Sequence, residues 1–222
     1  MLTRLYINTT NKCTTNCSFC CMSSGKHKNT FMSFNTFKDI IDSCSSEFEL
    51  QLEGGEPLLH RDLYLFLWYA HSTQRCKRVI ITTNGMLLRT HIEPLIWFAS
   101  HTNIKVLIKR SINYHLINEN KNLLKECRDM HLATEFIDIF DIRFNVRLRH
   151  GDEELIELLK LNKIFDQSDV YYLQSYGKLE DNTEYEKPVI KQNVDAWFLY
   201  SCDGANFGTD LVARANHEKD LQ

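Results

Sequence analysis

The chain has 222 residues, 43% of them hydrophobic and 25% charged, and its net charge is -3. This composition allows one domain with an ordinary core, and the charge gives no bulk reason to expect nucleic acid or an anionic membrane as partner. No apolar run of about 20 residues predicts a membrane span, and the first residues lack the apolar segment of a secretory signal. We therefore expect a cytoplasmic protein, in which the eight cysteines indicate metal or redox chemistry rather than disulfides.

Strands and helices are predicted to alternate along the chain. The strand "RLYINTT" comes first, and "SFNTFKDIIDSCSS" follows as a helix with Ser33 as its N-cap. The strand "FELQLEGG", the helix "LYLFLWYAHS" and the strand "KRVIITTNG" come next, before a helix in "HIEPLIWFASH" with Pro94 near its first turn. Then come the strand "NIKVLIKRS", the helix "LINENKNLLKECRDMH", the β-rich stretch "ATEFIDIFDIRFNVRLR", the helix "DEELIELLKLNKI" and the strand "DVYYLQSYG". This order predicts an α/β fold with a parallel sheet, whereas periodicity does not decide whether the sheet closes into a barrel.

The regular alternation ends at about Lys178. The polar stretch "EDNTEYEKPVIKQN" is expected on the surface, and "AWFLYSCDGANFGTDLVARANHEK" predicts a strand, a glycine-rich turn and a short helix. We therefore expect a core domain over residues 1–177 and a C-terminal extension over residues 178–222 that packs on the core.

Three cysteines stand close together in the loop after the first strand. Cys13, Cys17 and Cys20 are separated by three and then two residues, at the strand end where parallel α/β folds place their chemistry. Soft thiolates select zinc or iron–sulfur, but a structural zinc site closes four ligands, and Cys21 is a poor fourth ligand because adjacent side chains diverge. The favoured interpretation is a 4Fe-4S cluster held by Cys13, Cys17 and Cys20, with one iron left open to a ligand.

Together with two later stretches, this cysteine spacing resembles the radical S-adenosylmethionine (radical SAM) superfamily. Phe19 fits the aromatic residue that the family places before its third cysteine, and "ITTNG", which contains Asn84, resembles the ending of its third strand. The stretch "LEGGEPLLH" matches the family's GGEP motif at Gly54, Gly55, Glu56 and Pro57. The resemblance implies an α/β fold with a partial (β/α)6 barrel of the radical SAM type and a short C-terminal cap.

The same resemblance implies the chemistry and the partners. S-adenosylmethionine (SAM) chelates the open iron of the 4Fe-4S cluster and is cleaved reductively to a 5′-deoxyadenosyl radical, which takes hydrogen from a peptide or small-molecule substrate. An electron donor such as flavodoxin or ferredoxin is the implied redox partner. Gly54 and Gly55 let the backbone approach the SAM ammonium, which Glu56 would face, and Pro57 fixes the following turn. Lys109 and Ser111, expected at the end of the fourth strand, are further candidates for binding SAM.

Cys202 is a candidate catalytic residue, because an extension folded over the barrel mouth would bring its thiol to the substrate as a hydrogen donor. The alternative is an ordinary buried cysteine. Two other functions remain open on the sequence: an activase of a glycyl-radical enzyme, and a non-enzymatic zinc or iron–sulfur regulator. The sequence predicts neither the identity of the substrate nor the oligomeric state.

Overall fold

The computed structural model describes residues 2–188 and 195–222, which are divided between two compact units. The first unit contains Met1–Thr82 and Gln174–Gln222, and the second contains Thr83–Leu173. The polar stretch predicted to be on the surface includes residues 189–193, which lie outside the described residues. None of the helices among the described residues is long and apolar enough to cross a membrane.

Strands and helices alternate along most of the chain. In order, they are β1 (Leu2–Thr10), α1 (Phe34–Ser43), β2 (Glu47–Gly54), α2 (Leu63–Ser72), β3 (Cys76–Thr83), α3 (Leu88–Thr102), β4 (Lys105–Asn113), α4 (Tyr114–Glu119), α5 (Leu123–Thr134), β5 (Phe140–Leu148), α6 (Glu154–Leu161), β6 (Ser168–Tyr172), β7 (Ala196–Tyr200) and α7 (Leu211–Asp220). Short 3-10 turns lie at Pro57–Leu59, Phe165–Gln167 and Gly177–Leu179.

The first unit is built on parallel strands in the order β3-β2-β1-β7. Its core includes Leu5 and Ile7 of β1 and Leu50 and Leu52 of β2, and the intervening Tyr6 and Gln51 are also buried, so both faces of these strands are covered. Helix α1 begins as predicted, since Ser33 Oγ accepts a hydrogen bond of 3.0 Å from the Thr36 amide.

The second unit repeats the arrangement with parallel strands in the order β6-β5-β4. Lys109 lies opposite Arg143 and Ser111 opposite Asn145 in the β4–β5 register. All four of these polar side chains are at least partly exposed, while the alternating positions, such as Ile108 and Ile142, are buried.

Three boundaries in the second unit differ from the sequence expectation. Helix α3 starts at Leu88, so Pro94 lies inside the helix beyond its first turn. The single helix predicted from "LINENKNLLKECRDMH" is two helices, because the Asn120 side chain accepts from the Asn122 amide at 2.9 Å and competes with the helical hydrogen bonds. Strand β4 continues to Asn113, so Lys109 and Ser111 lie within the strand and not at its end.

The predicted strand, turn and helix near the C-terminus are confirmed as β7, a turn with glycines at 204 and 208, and α7. Strand β7 pairs in parallel with β1, with Leu5 opposite Phe198. Residues 178–222 therefore supply a strand and a helix to the first unit, and the predicted domain boundary after residue 177 stays a prediction.

Candidate functional site

The loop from Asn11 to Ser33 joins β1 to α1 and carries the three predicted metal ligands. Its two arms are joined by backbone hydrogen bonds from the Cys13 amide to Gly25 O, 3.1 Å, and from the Gly25 amide to Asn11 O, 3.2 Å. A tight turn brings the Cys20 amide to 3.3 Å from Cys17 O. The sequence placed the cysteines at the carboxyl end of the first strand, and the structure confirms that position.

The thiols of this loop converge in part. The Thr15 hydroxyl lies 3.3 Å from Cys13 Sγ and 3.5 Å from Cys17 Sγ. Burial raises the pKa of the Cys20 thiol to about 12, with smaller contributions from the neighbouring Cys21 and from Cys13, although the residue as a whole is partly exposed. Across residues 2–188 and 195–222, no three His, Cys, Asp or Glu side chains are close enough together to hold a metal ion.

The glycine pair after β2 lies directly against the cysteine loop. The Gly55 amide donates to Thr10 O at 2.7 Å, and the Glu56 amide donates to Lys12 O at 2.9 Å. A Cβ at Gly54 would stand 2.4 Å from Thr10 O, and a Cβ at Gly55 would stand 2.1 Å from Lys12 O. Both glycines are therefore required by the close approach of protein backbone, independently of any ligand.

Glu56 and Pro57 form the start of the 3-10 turn that follows. The Glu56 side chain is fully buried, and its Oε1 accepts from the Leu58 amide at 3.2 Å as the N-cap of that turn. Pro57 occupies the first position of the turn, where its fixed φ suits the backbone. The predicted contact of Glu56 with SAM stays a prediction. Phe19 is partly exposed in the cysteine loop, and its role also stays a prediction.

Three predicted cofactor ligands belong to the second unit. Asn84 follows β3, and its Oδ1 accepts from the Met86 amide at 3.0 Å. Lys109 and Ser111 are partly exposed on one side of β4. Between them, Arg110 is buried and pairs with Glu126 at 3.2 Å. It also packs on Gly85, where a Cβ would stand 2.4 Å from Arg110 Nε.

Cys202 lies in the turn after β7 and is fully buried. Its thiol donates to Glu218 Oε2 at 3.3 Å, and its amide donates to Glu218 Oε1 at 2.8 Å. Burial, followed by the Glu218 carboxylate, raises the thiol pKa. Donation to a carboxylate is a different environment from the apolar one expected of an ordinary buried cysteine, and the hydrogen-donor role stays a prediction.

The polar side chains of α7 that contact β1 and β2 were not predicted from the sequence. Glu218 also accepts from Asn8 Nδ2 at 2.7 Å, and Arg214 Nη2 donates to Glu53 Oε1 at 2.7 Å. Arg214 and Glu218 are four residues apart and therefore share one face of the helix. That spacing was the available signal, but a charged pair at i,i+4 more often marks a solvated face.

Comparison with known protein sequences gives two kinds of match. Residues 7–98 match the family model described as "Radical SAM superfamily". A GTP 3′,8-cyclase of Campylobacter lari is 26% identical over 170 residues, which cover 72% of this chain and 52% of the relative. The chain thus spans about half the length of this curated relative.

Two solved structures resemble the chain in fold. The structure titled "Native anSMEcpe with bound AdoMet and Cp18Cys peptide" has a TM-score of 0.59 and 13% identity, covering 95% of this chain and 74% of the other. The structure of Streptococcus suis SuiB bound to the precursor peptide SuiA has a TM-score of 0.55 and 15% identity, covering 84% of this chain and 42% of the other. At such identities the likeness concerns the fold alone, and it confirms the expected α/β fold.

Proposed function

We propose that the chain is a radical SAM enzyme that cleaves SAM reductively at a 4Fe-4S cluster, a proposal supported by the family-model match over residues 7–98 and by the similarity to GTP 3′,8-cyclases. The observation that carries the proposal is the junction between the cysteine loop and the GGEP stretch. Backbone hydrogen bonds from Gly55 to Thr10 and from Glu56 to Lys12 hold the two stretches side by side at the end of β1. A ligand bound by the loop would therefore lie beside the GGEP backbone.

The donor set of the loop fits an iron–sulfur cluster. Cys13, Cys17 and Cys20 are all at least partly exposed, so a cluster can reach each of them. The sulfurs of Cys13 and Cys17 both lie within 3.5 Å of the Thr15 hydroxyl. Thiolate is the ligand type that iron–sulfur clusters take. In such a cluster each cysteine binds a different iron, so the three sulfurs need not be close enough to share one metal ion.

The residues proposed to bind the cofactors have separate roles. When bound, the cluster supplies the electron that splits SAM into methionine and a 5′-deoxyadenosyl radical. Carbonyl groups at Gly54 and Gly55 would accept from the SAM ammonium, while the buried Glu56 fixes their backbone through the Leu58 amide. Phe19, Glu56, Pro57, Asn84, Lys109 and Ser111 remain proposed cofactor ligands, and a flavodoxin or ferredoxin remains the proposed electron donor.

The proposed substrate is a peptide or a small molecule. Two of the solved structures with a similar fold are complexes with peptides, whereas the curated relatives include GTP 3′,8-cyclases and an S-adenosylmethionine-dependent nucleotide dehydratase. These names favour both substrate classes over the activation of a glycyl-radical enzyme or a regulatory role without catalysis. Cys202 is the proposed hydrogen donor in such a reaction.

Anaerobic reconstitution tests the proposal directly. The wild-type protein should hold about four irons and four sulfides per chain and, when reduced with SAM, should release 5′-deoxyadenosine and methionine. Replacing Cys13, Cys17 or Cys20 by Ala should abolish both, and Cys21→Ala, in the same loop, is the matched control that should keep both. Formation of S-adenosylhomocysteine without 5′-deoxyadenosine, or a cluster that depends on Cys21 and not on Cys13, would contradict the proposal.

A further inference from the structure

Lys178 contacts the cysteine loop although it is 161 residues from Cys17 in sequence. Its ammonium nitrogen lies 3.1 Å from Asn16 Oδ1, 3.1 Å from Cys17 O and 3.3 Å from Ser24 O. Its backbone amide donates to Cys20 O at 3.1 Å. Because an ammonium group has three N–H donors, each of them has an acceptor in the segment between Asn16 and Ser24.

The neighbouring residue fixes where this ammonium can reach. Gly177 is buried, has a φ of +61°, and begins the 3-10 turn Gly177–Leu179. A Cβ at this position would stand 2.2 Å from Cys21 O. The turn therefore lies against the backbone of Cys20 and Cys21 at a distance that only glycine permits.

Backbone hydrogen bonds within the segment from Asn16 to Ser24 run from the Cys20 amide to Cys17 O and from the Ser23 amide to Cys20 O. Cys17 and Cys20 therefore lie in one short turn. Lys178 accounts for four further contacts, two of them to the carbonyls of Cys17 and Cys20. These contacts connect both residues to the C-terminal part of the first unit.

We propose that Lys178 is a positioning residue for the proposed cluster, holding the backbone of Cys17 and Cys20 in the conformation from which their sulfurs bind iron. Naming the cluster rests on the function proposed above, whereas the ordering of the loop is a property of the metal-free chain. The ammonium also places a fixed positive charge beside the ligand-bearing backbone. A nearby positive charge stabilises the more negative, reduced state of a cluster and raises its reduction potential.

Hydrogen exchange, iron content and reduction potential together test the proposal. Lys178→Met removes the ammonium from an exposed side chain and should leave the fold intact. Lys26→Met is the matched control: Lys26 is an exposed lysine of the same loop that makes no hydrogen bond or ion pair with the described residues. In the metal-free protein, amides of residues 16–24 should exchange about tenfold faster in Lys178→Met, as expected for the loss of charge-assisted hydrogen bonds.

In reconstituted protein, Lys178→Met should lose iron to a chelator faster than the wild type and have a more negative midpoint potential by redox titration. Lys26→Met should match the wild type in both, and Lys178→Arg should restore part of the potential because it restores the charge. If the wild type binds no iron, the proposed function fails. Hydrogen exchange alone then shows whether Lys178 orders residues 16–24. Equal exchange, iron retention and potential in Lys178→Met and Lys26→Met would overturn the proposal.

Discussion

Gly55 lies where the cysteine loop packs against the end of β2. Its amide bonds to Thr10 O, and the carbonyl of Lys12 occupies the space that a side chain would need. From the sequence, the glycine pair was predicted to contact SAM. The structure adds a second reason for glycine, because a Cβ at either position would meet backbone atoms of the protein. Because the obstructing atom is backbone and not a flexible side chain, a substitution cannot be absorbed by a change of rotamer.

Gly55→Ala should therefore destabilise the first unit by about 2–3 kcal/mol and reduce both iron content and SAM cleavage. Gly208→Ala is a suitable control, because that glycine has a φ of +55° but nothing within 4 Å of the added Cβ. It should cost only about 1 kcal/mol and leave iron binding unchanged. Urea denaturation and iron analysis of both variants give the comparison, and a Gly55→Ala protein with wild-type stability would disprove the steric argument.

Helix α7 shows how a short C-terminal element can be held by polar contacts rather than by an apolar face. Arg214 and Glu218 are buried, and they meet Glu53 of β2 and Asn8 of β1. Among the described residues, Arg214 Nε and Nη1 have no hydrogen-bond partner. Burial of the guanidinium is thus only partly compensated by its single carboxylate partner.

Arg214→Met should destabilise the protein by about 3 kcal/mol, because it leaves the Glu53 carboxylate without its cation in a largely buried position. A matched surface variant is Arg128→Met, whose partner Asp129 lies at 3.0 Å and is half exposed. Solvent screens that pair, so its loss should cost less than about 1 kcal/mol. Free energies of unfolding from urea titrations would provide the comparison.

The double variant Arg214→Met, Glu53→Gln completes this experiment. It removes both charges and the two unpartnered nitrogens, so it should be more stable than the sum of the single variants predicts. Additive losses would show that the ion pair does not hold α7 to β2.

Across the whole molecule, buried thiols occur in both compact units. Cys76 lies in β3 of the first unit and Cys127 in α5 of the second, and burial raises the pKa of each from 9.0 to about 12. Both side chains are buried in the structure. Their thiols stay protonated in the folded chain under conditions that ionise them in the unfolded chain.

The stability of the protein should therefore fall in alkaline solution. A group with a raised folded pKa binds more protons folded than unfolded, so its contribution is complete below pH 9 and is lost as the pH rises toward 12. Each such thiol contributes a slope of at most about 1.4 kcal/mol per pH unit. Replacing Cys127 by Ala should remove the contribution of that thiol to the pH dependence of the free energy of unfolding. Urea denaturation at several pH values measures this dependence.

The same variant at pH 7.5 separates the two effects of the substitution. There the thiol is protonated in both states, so the loss of stability reflects the lost burial of the sulfur and the cavity that the smaller side chain leaves. An alkaline slope identical to that of the wild type would refute the assignment to Cys127.

The sequence by itself determined the alternating strands and helices, the N-cap at Ser33 and the place of the cysteines and the GGEP stretch at strand ends. These features depend on side-chain periodicity and on local backbone chemistry, and both are set by residues that are close together in the sequence. Only the tertiary structure decided that β7 pairs with β1, that Glu218 accepts a hydrogen bond from the Cys202 thiol and that Lys178 donates hydrogen bonds to the cysteine loop. Such contacts join residues far apart in the chain. They depend on the alignment of the strands and on which charged groups are buried next to each other when the chain folds.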